Sequence, residues 1–381
     1  MPTSKIKAIL GLEKGSNTTT EGTTNIMINT VKAASIVAIA ALSLAGCAAN
    51  EGGSTGDLTG TLNGAGASSA GSAQEAWIAA FQTANGNVTV NYDPSGSGAG
   101  RESFFAGAVQ FAGTDSALNT DELALVSPLC AADSGYFEVP VYVSPIAIIY
   151  NVEGVDALNL APATIAGIFK GEITKWDDAA IAADNPGVML PSLAITAVHR
   201  SDDSGTTKNF SDYLSKNAAD IWDAEVGDAF PYSGGEAAAG TSGVVDAVTT
   251  GKGTIGYADA SKAGDLGTAN IKVGDAWVAH SPEGAAAVVA LSPRVEGRSA
   301  TDMAVAIDRT LTDAAAYPLV LVSYLIGCND YEDDAVGALV NAYASYLTSV
   351  DGQSTAASAA GSAPVTGAVQ EEAATITAAI K

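Results

Sequence analysis

The sequence predicts an α/β protein divided into two lobes, and three observations carry that reading. Short apolar runs of strand length alternate with segments of helical periodicity from residue 58 to the C-terminus. The chain beyond an N-terminal export segment is roughly 325 residues long, more than one typical domain holds. Hydrophobic residues make up 47% of the composition, enough for a core in each lobe.

Taken in chain order, residues 1–46 read as an upstream extension followed by a lipoprotein signal peptide. Ala33 to Ala45, preceded by Lys32, is a run of about 13 apolar or small residues, too short for a bilayer span and suited to a signal-peptide core. It ends in Leu44-Ala45-Gly46-Cys47, the bacterial lipoprotein cleavage box, in which Cys47 becomes the lipidated N-terminus. The alternative is a plain secretory signal with an incidental cysteine. Met27 is a more natural start than Met1, because Met27–Gly46 has the usual signal-peptide size. Residues 47–57, rich in Gly and polar residues, form a flexible tether. No second membrane span is predicted.

Strands are predicted at Val88–Tyr92, Val109–Ala112, Phe137–Val143, Ile146–Tyr150, Leu193–Val198, Gly253–Tyr257 and Leu319–Tyr324. Helices are predicted at Gln74–Thr83, Gly100–Gly107, Pro162–Phe169, Asp177–Ala183, Thr207–Lys216, Gly243–Thr250, Ser299–Thr312 and Asp334–Thr348. Gly352–Gly367, rich in Ala, Ser and Gly, reads as a loose connection before a terminal helix at Ala368–Ile380. In Pro140–Tyr150 two apolar strands abut with only Ser144-Pro145 between them, as expected of a strand crossing between lobes. This places lobe I at 58–143 plus 306–381 and lobe II at 144–305, with the return crossing near Val305.

The formal charge of −25 argues against nucleic acid and against anionic lipid as partners. It also opposes long-range attraction of any anion, so an anionic ligand must be held by short-range donors, with distant charges screened beyond roughly 8–10 Å. Beyond Cys47 only Cys130 and Cys328 remain. In an oxidising compartment they can pair as a disulfide, and two separate buried thiols are the alternative.

Three glycine- and hydroxyl-rich turns stand at strand-to-helix junctions. His199–Thr207 (HRSDDSGTT) joins a short apolar strand to a helix and holds one guanidinium, two carboxylates and four hydroxyls. The amides at the start of such a helix, with its positive dipole end, make an anion site, and Arg200 adds a forked donor suited to tetrahedral oxyanions. The bland alternative is that Ser204 only caps the helix while Arg200 pairs with Asp202 or Asp203. Tyr92–Phe105 (YDPSGSGAGRESFF) repeats the pattern with Ser97 among Gly96, Gly98 and Gly100, and Leu62–Ser69 (LNGAGASS) repeats it again. Together the three turns favour oxyanion binding.

These residues resemble the phosphate-binding proteins of bacterial high-affinity ABC phosphate importers. The resemblance covers most of residues 60–260 and rests on NGAGASS, YDPSGSGAG, FAGTDSAL (Phe111–Leu118), the block Ile168–Pro191 beginning IFKGEITKW, HRSDDSGTT and GTIGYAD (Gly253–Asp259). It implies a two-lobed periplasmic-binding-protein fold, type II-like, whose cleft closes around one phosphate. It further implies Ser68, Ser69, Ser97, Asp115, Arg200, Ser204, Gly205 and Thr206 as ligands, and Asp202 as the partner of Arg200. Ser69 stands where the family often has an aromatic residue, so its contact is expected from the backbone N–H. Arg101 stands where an aliphatic residue is common. The implied protein is a lipid-anchored monomer on the extracytoplasmic face of the cell membrane. It takes inorganic phosphate, delivers it to permease subunits served by a separate ATPase, and uses no cofactor or metal.

Asp115 has a chemical logic of its own. A carboxylate beside an anion repels it unless the ligand carries a proton to share, because ionised Asp only accepts hydrogen bonds. Protonated phosphate meets that condition and sulfate does not. The alternative role is a turn or cap aspartate in TDSALNTDEL. Rival functions are a binder of another oxyanion (sulfate or arsenate), a secreted phosphatase, and a structural lipoprotein. His199 and His280 are the only histidines, and the sequence has no nucleophile elbow, CxxC, HExxH or EF-hand pattern. Gly251-Lys252-Gly253-Thr254 lacks the rest of a P-loop and reads as a turn. Trp176 and Trp222 read as core or lobe-surface aromatics, and Asp177, Asp178, Asp184, Asp220, Asp223, Glu225 and Asp228 as a solvated acidic face.

Overall fold

A computed structural model describes residues 58–381, so the signal segment, Cys47 and the tether lie outside the described residues. The chain opens with β1 (Gly60–Gly66), α1 (Gly71–Ala84), β2 (Val88–Asp93), α2 (Ser97–Phe105) and β3 (Phe111–Thr114). β1 pairs in parallel with β2 on one side and with β3 on the other. The helices between parallel strands pack back on the sheet: Trp77 and Phe81 of α1 and Phe104 of α2 are buried.

The next strand, β4, runs unbroken from Tyr136 to Asn151. The two strands expected around Ser144-Pro145 are therefore one. Proline lacks an N–H, and Pro145 sits where β4 changes partners: Tyr136–Pro145 pairs with β11 (Val320–Cys328), and Ile146–Asn151 with β8 (Thr254–Asp259). Between them lie β5 (Leu158–Leu160), α3 (Pro162–Lys170), α4 (Ala179–Asp184), β6 (Thr196–Arg200), α5 (Gly205–Asn217), β7 (Glu236–Ala238) and α6 (Gly240–Thr250). α3 has the sequence marks of a helix at both ends, Pro162 at its first turn and Gly171 in the left-handed conformation (φ 85°) at its C-cap. After β8 follow β9 (Gly267–Val273), β10 (Ala276–Val278), α7 (Pro282–Leu291), β11, α8 (Asp334–Thr348), α9 (Val350–Ala360) and α10 (Gly367–Ala378). The strand order is β2-β1-β3-β11-β4-β8-β6-β7, with β9 joining β4, β5 and β10 at the side.

Two expected segments turn out differently. Ser299–Thr312 is not helical. At Thr301–Met303 its backbone lies along β4, with Met303 N–H donating to Glu138 O at 2.7 Å and Glu138 N–H to Thr301 O at 2.9 Å, and at Val305–Ala306 it pairs with Pro293–Arg294. Asp302 and Asp308 accept the amides of Ala304 and Thr310 two residues on (3.0 and 2.9 Å), local bonds that compete with helix formation. Gly352–Gly367, expected to be loose, is mostly the helix α9. Its small residues let it settle on α1, where Trp77 Nε1 donates to Gly352 O at 2.7 Å, while buried Gln353 donates to Val141 O and Leu347 O. Cys130 and Cys328 form a disulfide that fastens the segment before β4 to the end of β11. No helix among the described residues is long and apolar enough to cross a membrane.

Candidate functional site

The parallel pair β1 and β3 and the parallel pair β6 and β7, which run in opposite senses, present their carboxyl ends to one region, where each strand hands over to a loop or helix start. This is where open α/β sheets place ligands. After β1 come Ser68 and Ser69, after β3 comes Asp115, after β6 come Ser204 and Gly205, and after β7 come Gly240 and Thr241. α2 brings Ser97 in its first turn, its N-cap being Gly96 at φ 105°, a conformation that glycine adopts without strain.

Close approach of the elements depends on missing side chains. A Cβ on Gly100 would fall 2.4 Å from Gly66 Cα, and one on Gly205 would fall 2.6 Å from Asp115 Cβ and 2.7 Å from Ser97 Oγ. Gly205 therefore lets the start of α5 reach both Asp115 and α2.

Asp115 is the centre of this arrangement and is 4% exposed. Ser69 Oγ donates to both of its oxygens, at 2.8 Å to Oδ1 and 2.7 Å to Oδ2, and Thr206 Oγ1 donates to Oδ2 at 3.2 Å. Ser323 Oγ, from β11, donates to Oδ1. The Asp115 N–H donates to Ser97 Oγ at 3.1 Å, and its carbonyl accepts from Asn209 Nδ2 at 2.8 Å. Burial pushes the Asp115 carboxyl above its ordinary value, against the pull of the Ser323, Ser69 and Thr206 hydroxyls and the charge of Arg200. The Ser69 side chain is thus engaged with Asp115, which leaves its backbone N–H as the group expected to meet a ligand.

Arg200 ends β6 and is buried, with Nε donating to Asp202 Oδ1 at 2.7 Å and Nη2 to Oδ2. Asp202 Oδ1 also accepts the Gly240 N–H at 2.9 Å, which ties this fork to the start of α6. Ser204 uses its hydroxyl as the N-cap of α5, accepting from Thr207 N–H at 3.2 Å. Ser68 lies at the α6 end instead of at Asp115: its Oγ accepts the Thr241 N–H at 3.0 Å and lies 3.1 Å from Thr241 Oγ1.

Ser69, Ser97, Asp115, Gly205 and Thr206 thus meet in one place, with Arg200 and Asp202 beside them. Thr241 and Ser323 were missed in the sequence. Gly240-Thr241-Ser242-Gly243 is a fourth glycine- and hydroxyl-rich helix start of the kind recognised three times. Ser323 offered a fainter signal, one serine inside the otherwise apolar and aromatic strand Val320–Cys328.

Arg101 does not turn to Asp115. It donates to Glu122 Oε1 at 2.7 Å, Thr114 Oγ1 at 2.9 Å and Asp228 Oδ2 at 2.6 Å. Asp228, expected on a solvated face, is drawn inward by that guanidinium and by Ser116 Oγ at 2.5 Å. His199 stacks on Phe230 with ring centres 4.0 Å apart, its ring nitrogens held at the Arg200 and Gly234 carbonyls.

Comparison with known proteins returns one theme. A family profile described as a PBP superfamily domain matches residues 49–351. The phosphate-binding protein PstS 3 of Mycobacterium leprae is 36% identical over 293 residues, covering 74% of this chain and 77% of the relative. The phosphate-binding protein PstS of Xylella fastidiosa is 33% identical, covering 72% and 73%. Among solved structures, a high-affinity periplasmic phosphate-binding protein bound with phosphate superposes with a TM-score of 0.64 at 21% identity, covering 82% of this chain and 92% of the other. A phosphate-binding protein from Stenotrophomonas maltophilia gives 0.62 at 21% identity, covering 83% and 93%. At that identity the structural likeness speaks for the fold, a two-lobed periplasmic-binding-protein type.

Proposed function

The chain belongs to the PstS family of phosphate-binding proteins within the PBP superfamily, and from that membership we propose that it binds inorganic phosphate outside the cytoplasm and delivers it to an ABC-type permease. The observation that carries the reading is the buried Asp115 carboxylate between the starts of α2 and α5, with Ser69, Thr206 and Arg200 beside it. Helix-start amides and hydroxyls supply neutral donors to phosphate oxygens, and Arg200, fixed by Asp202, supplies a full positive charge. Asp115 accepts a hydrogen bond from the O–H that phosphate carries and sulfate lacks. In this reading Ser69, Ser97, Arg200, Gly205 and Thr206 bind the anion, Ser68 holds the α6 start, and Ser204 contributes through the start of α5.

The cleft divides the chain at Pro145–Ile146, where β4 changes partners. We place the return ahead of α7 instead of near Val305, because Ala285 and Val288 pack in one cluster with Val143, Val320 and Val322. Cys47 as a lipid anchor, a monomeric state, and permease subunits with a separate ATPase complete the reading. His199, held between Phe230 and two carbonyls, supports binding without hydrolysis.

Thermal unfolding across phosphate, arsenate and sulfate tests the proposal. Phosphate and arsenate should raise Tm with the logarithm of concentration, and sulfate should not. Equal stabilisation by sulfate would favour a general oxyanion binder. Steady turnover of a phosphomonoester would favour a phosphatase. Mass analysis of membrane-extracted protein, seeking a diacylglyceryl group on Cys47, tests the anchor.

A further inference from the structure

We propose that Ser323 is a positioning residue that fixes Oδ1 of Asp115 and leaves Oδ2 as the atom that accepts a hydrogen bond from the ligand's O–H. The inference rests on the phosphate-binding reading and deepens it by naming what sets the selectivity of the site.

Three hydroxyls reach the Asp115 carboxylate, and they differ in origin. Ser69 lies in the turn after β1 and Thr206 in the first turn of α5, where both hydroxyls can turn to an anion. Ser323 belongs to β11, inside the sheet, and is 2% exposed. Among the described residues its one side-chain bond is to Asp115 Oδ1, whereas Thr206 meets Oδ2. The strand is adapted at this point: Ser323 faces Tyr142, yet Tyr324 faces Pro140, so Val141 of β4 has no opposite residue. A bulge of this kind bends the ladder locally and re-aims side chains.

The physical consequence concerns which form of the carboxyl exists. An ionised Asp115 accepts a proton-bearing ligand, whereas a protonated one donates and so accommodates a bare oxyanion. Burial favours the protonated form, and hydroxyl donors oppose it. Ser69 and Thr206 are free to leave for the ligand, so Ser323 is the donor that remains when phosphate arrives. Arg200 from β6 acts on the Asp115 carboxyl and Tyr92 from β2 feels its charge, while Lys208 and Asp212 of α5 and Arg298 and Arg309 ahead of β11 line the same cavity; Ser323 hydrogen-bonds to none of them.

Titration calorimetry with phosphate and sulfate from pH 5 to pH 9, on wild type, S323A and S323T, tests the inference. Loss of one hydrogen bond to a charged group predicts about a tenfold fall in phosphate-over-sulfate preference for S323A. The acid limb of phosphate binding should also move to higher pH, because the carboxylate is less stabilised. S323T, which keeps the hydroxyl on a strand-favouring residue, should restore both. Cooperative melting of each variant checks the fold, and a merely structural role would move Tm without moving selectivity or the pH limb. An S323A protein that binds phosphate with wild-type selectivity and pH profile overturns the inference alone. Wild-type protein that fails to bind phosphate overturns the functional reading and the inference with it.

Discussion

Arg101 on α2 and Asp228 in the segment between α5 and β7 form an ion pair at 2.6 Å that joins the β1–β3 group of strands to the β6–β7 side. Only 6% and 15% of the two side chains is exposed. Burial pushes the Asp228 carboxyl up, but the Arg101 charge and the Ser116 bond outweigh it, and the carboxyl lies below its ordinary value. The pair therefore survives to acid pH. It also answers how an Arg can stand in a helix facing the cleft without adding a second charge to the anion site: Glu122 and Asp228 neutralise it.

Because this pair exists only when the two sides meet, Asp228→Asn should favour separation. We expect phosphate affinity to fall by about tenfold, with the unliganded variant larger by small-angle scattering than wild type. Identical affinity and radius of gyration would remove the pair from any part in closure.

Asp115→Asn exchanges an obligate acceptor for a group that can donate. Phosphate binding should stay within about an order of magnitude while sulfate becomes a competitor. A competition titration reads the ratio directly; an unchanged ratio would mean Asp115 does not sense the ligand's proton.

Arg200 and Asp202 should be separable. Arg200→Ala removes the positive charge and should weaken phosphate by several kcal/mol, roughly 2–5. Asp202→Ala leaves a buried guanidinium without its fork and frees the Gly240 N–H, so it should lower stability by about 3 kcal/mol as well as affinity. Calorimetry and chemical denaturation on the two variants would distinguish ligand from support.

Glu138 gives a pH signature away from the cleft. Its side chain is fully buried, Oε2 lacks a hydrogen-bond partner, and Arg298 stands no closer than 4.0 Å. Burial, with the neighbouring Asp302 charge, pushes its carboxyl up to about 8. The unfolded chain loses this proton near the ordinary value and the folded chain near 8, so stability should decline as pH rises between those values and level off above. Glu138→Gln should flatten that slope and raise stability at pH 8 by roughly 2–4 kcal/mol. Urea denaturation at pH 5, 7 and 9 measures it, and parallel curves for variant and wild type would refute the assignment.

The Cys130–Cys328 bridge spans 198 positions of sequence. Replacing both cysteines by serine should lower stability by about 2–5 kcal/mol while leaving phosphate affinity intact, since neither sulfur lies near Asp115. Loss of binding in a protein that still melts cooperatively would implicate the bridge in shaping the cleft.

Much of the fold and of the site is legible in the sequence. Proline at a helix start and glycine at its end delimited α3, and glycine–hydroxyl turns marked three of the four helix starts at the site. Errors fell where long-range bonds outvote local pattern. Asp302 and Asp308 hold Ser299–Thr312 in a non-helical course that meets β4 at Thr301–Met303, and α9 is a helix because α1 offers a surface on which its small residues fit.

The sequence by itself determined which chemical groups were available: helix-start amides, hydroxyls, one fork-shaped cation and a carboxylate. These are local properties, written in short runs of neighbouring residues. Only the tertiary structure decided that Ser323, 208 positions from Asp115, shares its carboxylate, and that Arg101 spends its charge on Glu122 and Asp228. Such pairings depend on how β11 slots between β3 and β4 and on which loops meet across the cleft. Spacing along the chain carries no record of them.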